Sequence, residues 1–186
     1  MDKTEKTNEV DRVFGELQSI REHFVSSSAG MSLFNSLSSI DSKVMLLCSA
    51  SYFERIVCDK ICQFFRDNSR HETMHYFVEK QAVNRKYHTM FDWKAGNANR
   101  FFSLFGNKFL IHMKKVIEED QSIKVGMKDF MDLGGKRNQL VHENYATFNL
   151  DYTAQEIHQK FISAFNFIEI VFDELYKLER IADDSA

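Results

Sequence analysis

No proline occurs in the 186 residues of this chain, and only seven residues are glycine. Proline is the strongest helix breaker, because it lacks an N–H and its ring clashes with the preceding turn, so long helices are unimpeded here. Hydrophobic residues make up 44% of the chain, with 18 Phe and eight Met, enough to build a core without disulfides or metal. These facts predict an all-α fold in a single domain, with its core over about residues 10–181 between a polar N-terminus and a C-terminal tail.

Apolar periodicity locates the helices. Val10, Val13, Phe14, Leu17, Ile20 and Phe24 form one face of a first helix, expected to end before Ser26-Ser27-Ser28-Ala29-Gly30. Ser38, Ser39 and Asp41 are cap candidates for a second helix with the stripe Leu46, Ala50, Phe53, Val57, Ile61 and Phe64. Residues 68–97 are polar and irregular, which predicts short helices or ordered loops. Two short helices should follow, broken at Gly106-Asn107, and another should start near Ser122. Gly134-Gly135 is expected to kink or restart the chain, leaving the residues after it near a helix N-terminus, where free amides favour a phosphate. A final helix over 153–181 has two apolar stripes, one through Phe161, Phe165, Ile168, Phe172 and Leu175 and one through Ile157, Ala164, Val171 and Leu178. Two stripes require two neighbours, both internal by default, with a second protomer as the alternative. The sum is a bundle of four to five main helices with short additional ones.

Three cysteines without paired spacing point to free thiols in a reducing compartment. No apolar run reaches about 18 residues and residues 1–9 are polar, so neither a signal peptide nor a membrane span is expected, and a cytoplasmic location is. The net charge of −3 argues against a generic nucleic-acid coat. Yet residues 80–137 hold twelve Lys plus Arg against six Asp plus Glu, a local +6, and the remainder carries −9. A basic zone of that kind could steer a phosphodiester, whereas solvated helix faces would explain Lys114, Lys115, Lys124 and Lys128 equally well.

The basic zone ends in Arg137-Asn138-Gln139-Leu140-Val141-His142. On a helix Asn138 and His142 share a face, and Arg137 projects about 100° to one side. Arg offers a forked donor for phosphate oxygens, and His moves a proton near neutral pH. The bland alternative is a surface helix with a capping or half-buried His.

The stretch Gly134-Gly135-Lys136-Arg137-Asn138-Gln139-Leu140-Val141-His142-Glu143-Asn144-Tyr145 resembles the Arg-x4-6-His signature of HEPN domains, including the Asn that follows the Arg. Residues 44–65 are similar to the earlier HEPN helix, with Ser51-Tyr52-Phe53-Glu54-Arg55 at the segment that carries its polar residue. Ala98-Asn99-Arg100-Phe101-Phe102-Ser103-Leu104-Phe105-Gly106 resembles the linking segment of the RiboL-PSP type. The resemblance covers about residues 40–178, and only the Arg-to-His motif in it is specific. It implies a metal-independent endoribonuclease that attacks with the ribose 2′-hydroxyl, needs no cofactor and leaves DNA uncut. It further implies a homodimer with a composite active site, a prokaryotic toxin or antiviral defence role, and an antitoxin or defence-system partner. His142 would act as general base or acid, Arg137 would neutralise the phosphorane, and Asn138 would orient His142 or the phosphate. Glu54, Asn144 and Tyr145 are additional candidates, and Lys136, Arg100 and Lys108 are RNA-binding candidates. One HEPN subgroup has Arg-x4-His-x-Tyr with a modified Tyr; here Asn144 takes that place and Tyr145 comes one residue late, so such regulation is not implied. A silent HEPN module that binds RNA, nucleotide or protein is the alternative from another class.

Two metal patterns compete. His71-Glu72-Thr73-Met74-His75 matches the H-E-x-x-H of zinc metalloproteases, but Val78 and Gln81 stand where the metzincin extension needs Gly and His. Cys58 and Cys62 precede His71 and His75 in C-x3-C-x8-H-x3-H order, with a middle spacer shorter than that of a finger. Core thiols are the better expectation for both cysteines.

Overall fold

The computed structural model describes residues 8–26, 31–69, 71–143 and 145–183. Five long helices dominate: α1 (Glu9–Ser26), α2 (Met31–Asn68), α6 (Asn107–Glu119), α7 (Gln121–His142) and α8 (Ala154–Asp183). Between α2 and α6 lie the short helices α3 (Glu72–Phe77), α4 (Tyr87–Met90) and α5 (Asn99–Ser103), with a π-helical turn at Val78–Val83. No strand occurs among the described residues, so the all-α expectation holds, and 68–97 does resolve into short helices and ordered loops.

Local chemistry sets the ends. Asn8 Oδ1 accepts the N–H of Val10 and of Asp11, both at 3.0 Å, which caps α1. Gly106 has φ of +94°, a conformation L side chains rarely adopt, and it separates α5 from α6. Asp120 caps α7 by accepting from the Ser122 N–H at 2.7 Å.

The core lies where α2, α7 and α8 meet. Phe53, Phe130, Phe161 and Phe167 are almost fully buried there, and the Phe53 and Phe130 rings meet edge to face at 5.3 Å, an arrangement worth about 1 kcal/mol beyond area burial. Lys160 of α8 bonds Asp129 of α7 at 2.9 Å, while Gly126 lies against Ser163 and Phe167. Rising α8 numbers against falling α7 numbers make the pair antiparallel. Both stripes of α8 are covered within the chain, since Phe161, Ile168, Phe172, Leu175, Ile157, Ala164 and Val171 are buried and Phe165 and Leu178 pack at the core margin.

Two expectations fail. First, α2 begins at Met31, so Ser38, Ser39 and Asp41 lie inside it. Of the three, Asp41 is satisfied laterally: it is buried and pairs with Arg21 of α1 at 2.7 Å. Second, Gly134-Gly135 does not restart the chain, because α7 runs unbroken to His142. A Cβ on Gly134 would overlap the Trp93 indole. The glycine is there for close approach of a ring, and α7 tolerates the modest helix-propensity cost, about 1 kcal/mol.

Candidate active site

The last two turns of α7 carry Arg137, Asn138 and His142 along one wall of a cleft of about 700 Å³. The opposite wall comes from α4, the loop after it and α5, through His88, Asp92, Trp93, Lys94 and Arg100. Because α7 ends at His142, the motif sits at the carbonyl end of the helix and not at the N-terminus anticipated from the glycines. The helix dipole there carries negative partial charge, so attraction of a phosphate falls to side chains, with Arg100, Lys94 and Arg137 supplying three cations.

Arg137 is the hub. Its Nη1 donates to His88 Nε2 at 3.1 Å and to Asn138 Oδ1 at 3.3 Å. Its Nη2 lies 3.8 Å from Glu54 Oε2, and the same oxygen is 3.5 Å from His88 Nε2. Helices α2, α4 and α7 thus place a carboxylate, an imidazole and a guanidinium within reach of one another. Asn138 touches Arg137, so the contact it makes holds the guanidinium and not His142. His142 itself is exposed at the cleft.

Neighbouring charges are engaged elsewhere. Arg55 pairs with Glu9 at 2.8 Å and Lys60 with Glu169 at 3.0 Å, which leaves Glu54 facing Arg137 and His88. Tyr145 is tied back to α2: buried Lys43 donates to the Tyr145 carbonyl at 2.7 Å and sits 4.8 Å above its ring. That clasp holds the segment just after His142. Asn144 lies outside the described residues. Of the RNA-binding candidates, Arg100 lines the cleft, whereas Lys136 extends over the Tyr152 ring at 5.8 Å and Lys108 is exposed on the first turn of α6, away from the lining.

His88, Trp93 and Lys94 belong to the cleft although the motif search does not find them. Trp93 Nε1 donates to the His88 carbonyl at 3.0 Å, and its ring lies against Gly134, so one indole fixes α4 to α7. The turn into α4 includes Arg85 at φ of +60°, a left-handed conformation that costs a non-glycine residue about 1 kcal/mol. Burial holds the His88 imidazole below its ordinary value, the Arg137 and His142 charges add to that effect, and Glu54 opposes it. Arginine can only donate, so Nε2 accepts from it, and a neutral ring then carries its proton on Nδ1, which is buried with no hydrogen-bond partner among the described residues.

The metal patterns do not assemble. His71 precedes α3 in extended backbone, and His75 Nε2 lies 3.2 Å from the Ser69 carbonyl. Cys58 and Cys62 are half-buried on α2, where burial pushes the Cys58 thiol up to about 11 and raises Cys62 as well. Among the described residues no three His, Cys, Asp or Glu side chains are grouped to hold a metal ion, and no helix is long and apolar enough to cross a membrane.

A family profile described as RiboL-PSP-HEPN matches residues 14–177. No curated protein and no solved structure matches the chain.

Proposed function

Since the chain belongs to the RiboL-PSP-HEPN family, we propose that it is a metal-independent endoribonuclease that cleaves RNA through the ribose 2′-hydroxyl. The family supports a ribonuclease or a nucleotide-binding module. The observation favouring cleavage is that Arg137 and His142 share one wall of an open cleft, with Glu54 and His88 converging on the same guanidinium. An exposed imidazole on the wall that carries the guanidinium gives the cleft a proton carrier as well as an anion ligand.

In this reading Arg137 takes the phosphodiester and neutralises the charge that builds on the phosphorane, the largest single contribution expected of such a site. Asn138 steadies the guanidinium, and His142 moves a proton as base or acid. Arg100 and Lys94 guide the backbone into the cleft, so affinity falls with added salt. Tyr145 stands exposed past His142, where it can stack on a base. The proposal extends to a homodimer that brings two clefts together, supported by Val141, an apolar side chain exposed on the last turn beside His142. A role as toxin or defence effector, restrained or activated by a partner protein, follows the resemblance.

The test is cleavage of cellular RNA in EDTA by wild type and by His142→Ala, with analysis of the new ends. Cutting by wild type alone, leaving 2′,3′-cyclic phosphate or its hydrolysis product, is the expected result. Equal cutting by both would remove His142 from the chemistry, and no cutting by folded wild type would favour the binding module.

A further inference from the structure

We propose that His88 is the general base of the cleft and His142 its general acid, so that a single chain carries the complete proton-transfer pair. The inference rests on the ribonuclease reading and deepens it. His88 comes from α4 and His142 from the end of α7, both line the same cleft, and Arg137 of α7 lies against His88. The two imidazoles are not equivalent. His88 Nε2 accepts a hydrogen bond from Arg137 and has Glu54 3.5 Å away, whereas His142 is exposed on the last turn.

Internal transesterification needs two proton movements in opposite directions, one from the nucleophile and one to the leaving group. His88 Nε2 takes the proton of the 2′-hydroxyl as O2′ forms its bond to phosphorus. The P–O5′ bond breaks, and O5′ takes its electron pair together with a proton from the His142 imidazolium. The products are a 2′,3′-cyclic phosphate and a 5′-hydroxyl, and exchange with water resets both rings. A base must be neutral before the reaction. Burial and the charges of Arg137 and His142 hold His88 below the ordinary imidazole value, against the pull of Glu54.

Substrate controls the base in this arrangement. The Arg137 Nη1 hydrogen occupies the Nε2 lone pair. A phosphate drawn onto Arg137 competes for that donor and returns the lone pair to His88. The groups facing His88 are Glu54 of α2, Arg137 and His142 of α7 and the Tyr87 phenol of its own helix, with Asp92, Lys94 and Arg100 on the same cleft.

The experiment uses an RNA oligonucleotide with a single 5′-bridging phosphorothiolate at the cleavage position mapped on unmodified RNA. A thiolate leaves without protonation, so this probe removes the need for an acid but not for a base. His142→Gln should lose about 100-fold or more on the oxygen substrate and less than about tenfold on the sulfur one, while His88→Gln loses about 100-fold or more on both. The wild-type profile of kcat/KM should show an acidic limb below the ordinary 6.5 of an imidazole, absent in His88→Gln. Glu54→Gln should move that limb to lower pH, which tests the assignment even if His88→Gln fails to fold. Full activity of His88→Gln, rescue of it by sulfur, or a limb unmoved by Glu54→Gln would overturn the pair while leaving the ribonuclease intact. A folded wild type that cuts neither substrate would overturn both.

Discussion

Helix α7 contains Gly126 and Gly134, about two turns apart, and the two glycines meet very different neighbours. A Cβ at Gly126 would lie 2.6 Å from the Ser163 carbonyl oxygen and 2.8 Å from the Phe167 Cβ, so its neighbour is the antiparallel helix α8 itself. A Cβ at Gly134 would run first into the Trp93 indole, the ring whose N–H holds the His88 carbonyl. The N-terminal half of α7 is an inner wall of the core, with Ile123, Met127 and Phe130 buried. The C-terminal half is a cleft wall with a guanidinium, an amide and an imidazole. One helix thus uses the same device, a missing side chain, to bring a backbone close in one half and to dock the opposite wall of the site in the other.

Alanine at each glycine separates the two roles. Gly126→Ala has the larger effect on folding: pushing α7 off α8 should cost about 1–3 kcal/mol after overpacking, seen as a lower Tm in thermal melts, with RNA cleavage per folded molecule unchanged. Gly134→Ala displaces a side chain and not a helix, and alanine also favours the helix. Its Tm should move little while cleavage falls about tenfold, the order of loss expected when a supporting residue shifts the reacting groups. If the two variants exchanged these behaviours, the division of α7 into core and cleft halves would be wrong.

The smallest effect concerns the polar clasp of the core half. Burial opposes the Lys160 charge, but the hydrogen bond to Asp129 at 2.9 Å and the Asp132 carboxylate at 3.1 Å prevail and raise its ammonium from the ordinary 10.5 to about 12. A cation held above its unfolded value contributes its full stability below that value and loses it as pH rises through the folded one. Melting temperature should therefore fall modestly between about 10.5 and 12, and Lys160→Met should flatten that fall in the same melts. An undiminished fall in the variant would assign it to other groups.

The sequence made most of the fold legible because its apolar stripes are long and uninterrupted. The two stripes of α8 correctly anticipated neighbours within the chain, and Gly106-Asn107 correctly marked a break. The start of α2 was misjudged because Ser38, Ser39 and Asp41 have the chemistry of caps, and only the position of Arg21 on α1 shows that Asp41 points sideways. Gly134-Gly135 was misjudged for a related reason: a glycine that frees the backbone and a glycine that admits a ring look alike until the ring is seen. The candidate site was legible through Arg137, Asn138 and His142, which lie within one hexapeptide, and through Glu54, which the resemblance singled out. His88 was not legible, since it lies in an irregular polar stretch and reaches Arg137 through tertiary packing 49 residues away. No local spacing encodes that meeting. The pairing of Trp93 with Gly134 is the feature that brings it about.

On the proposed function, this cleft cuts RNA by making the substrate supply its own nucleophile. This is tested most directly by two oligonucleotides, identical but for one 2′-hydroxyl replaced by hydrogen at the mapped cleavage position, incubated with wild-type protein in EDTA. The expected result is cutting of the all-ribose strand and none at the deoxy position. Cutting at both positions would mean that the nucleophile is water or a protein group, and the mechanism assigned to Arg137 and His142 would be contradicted.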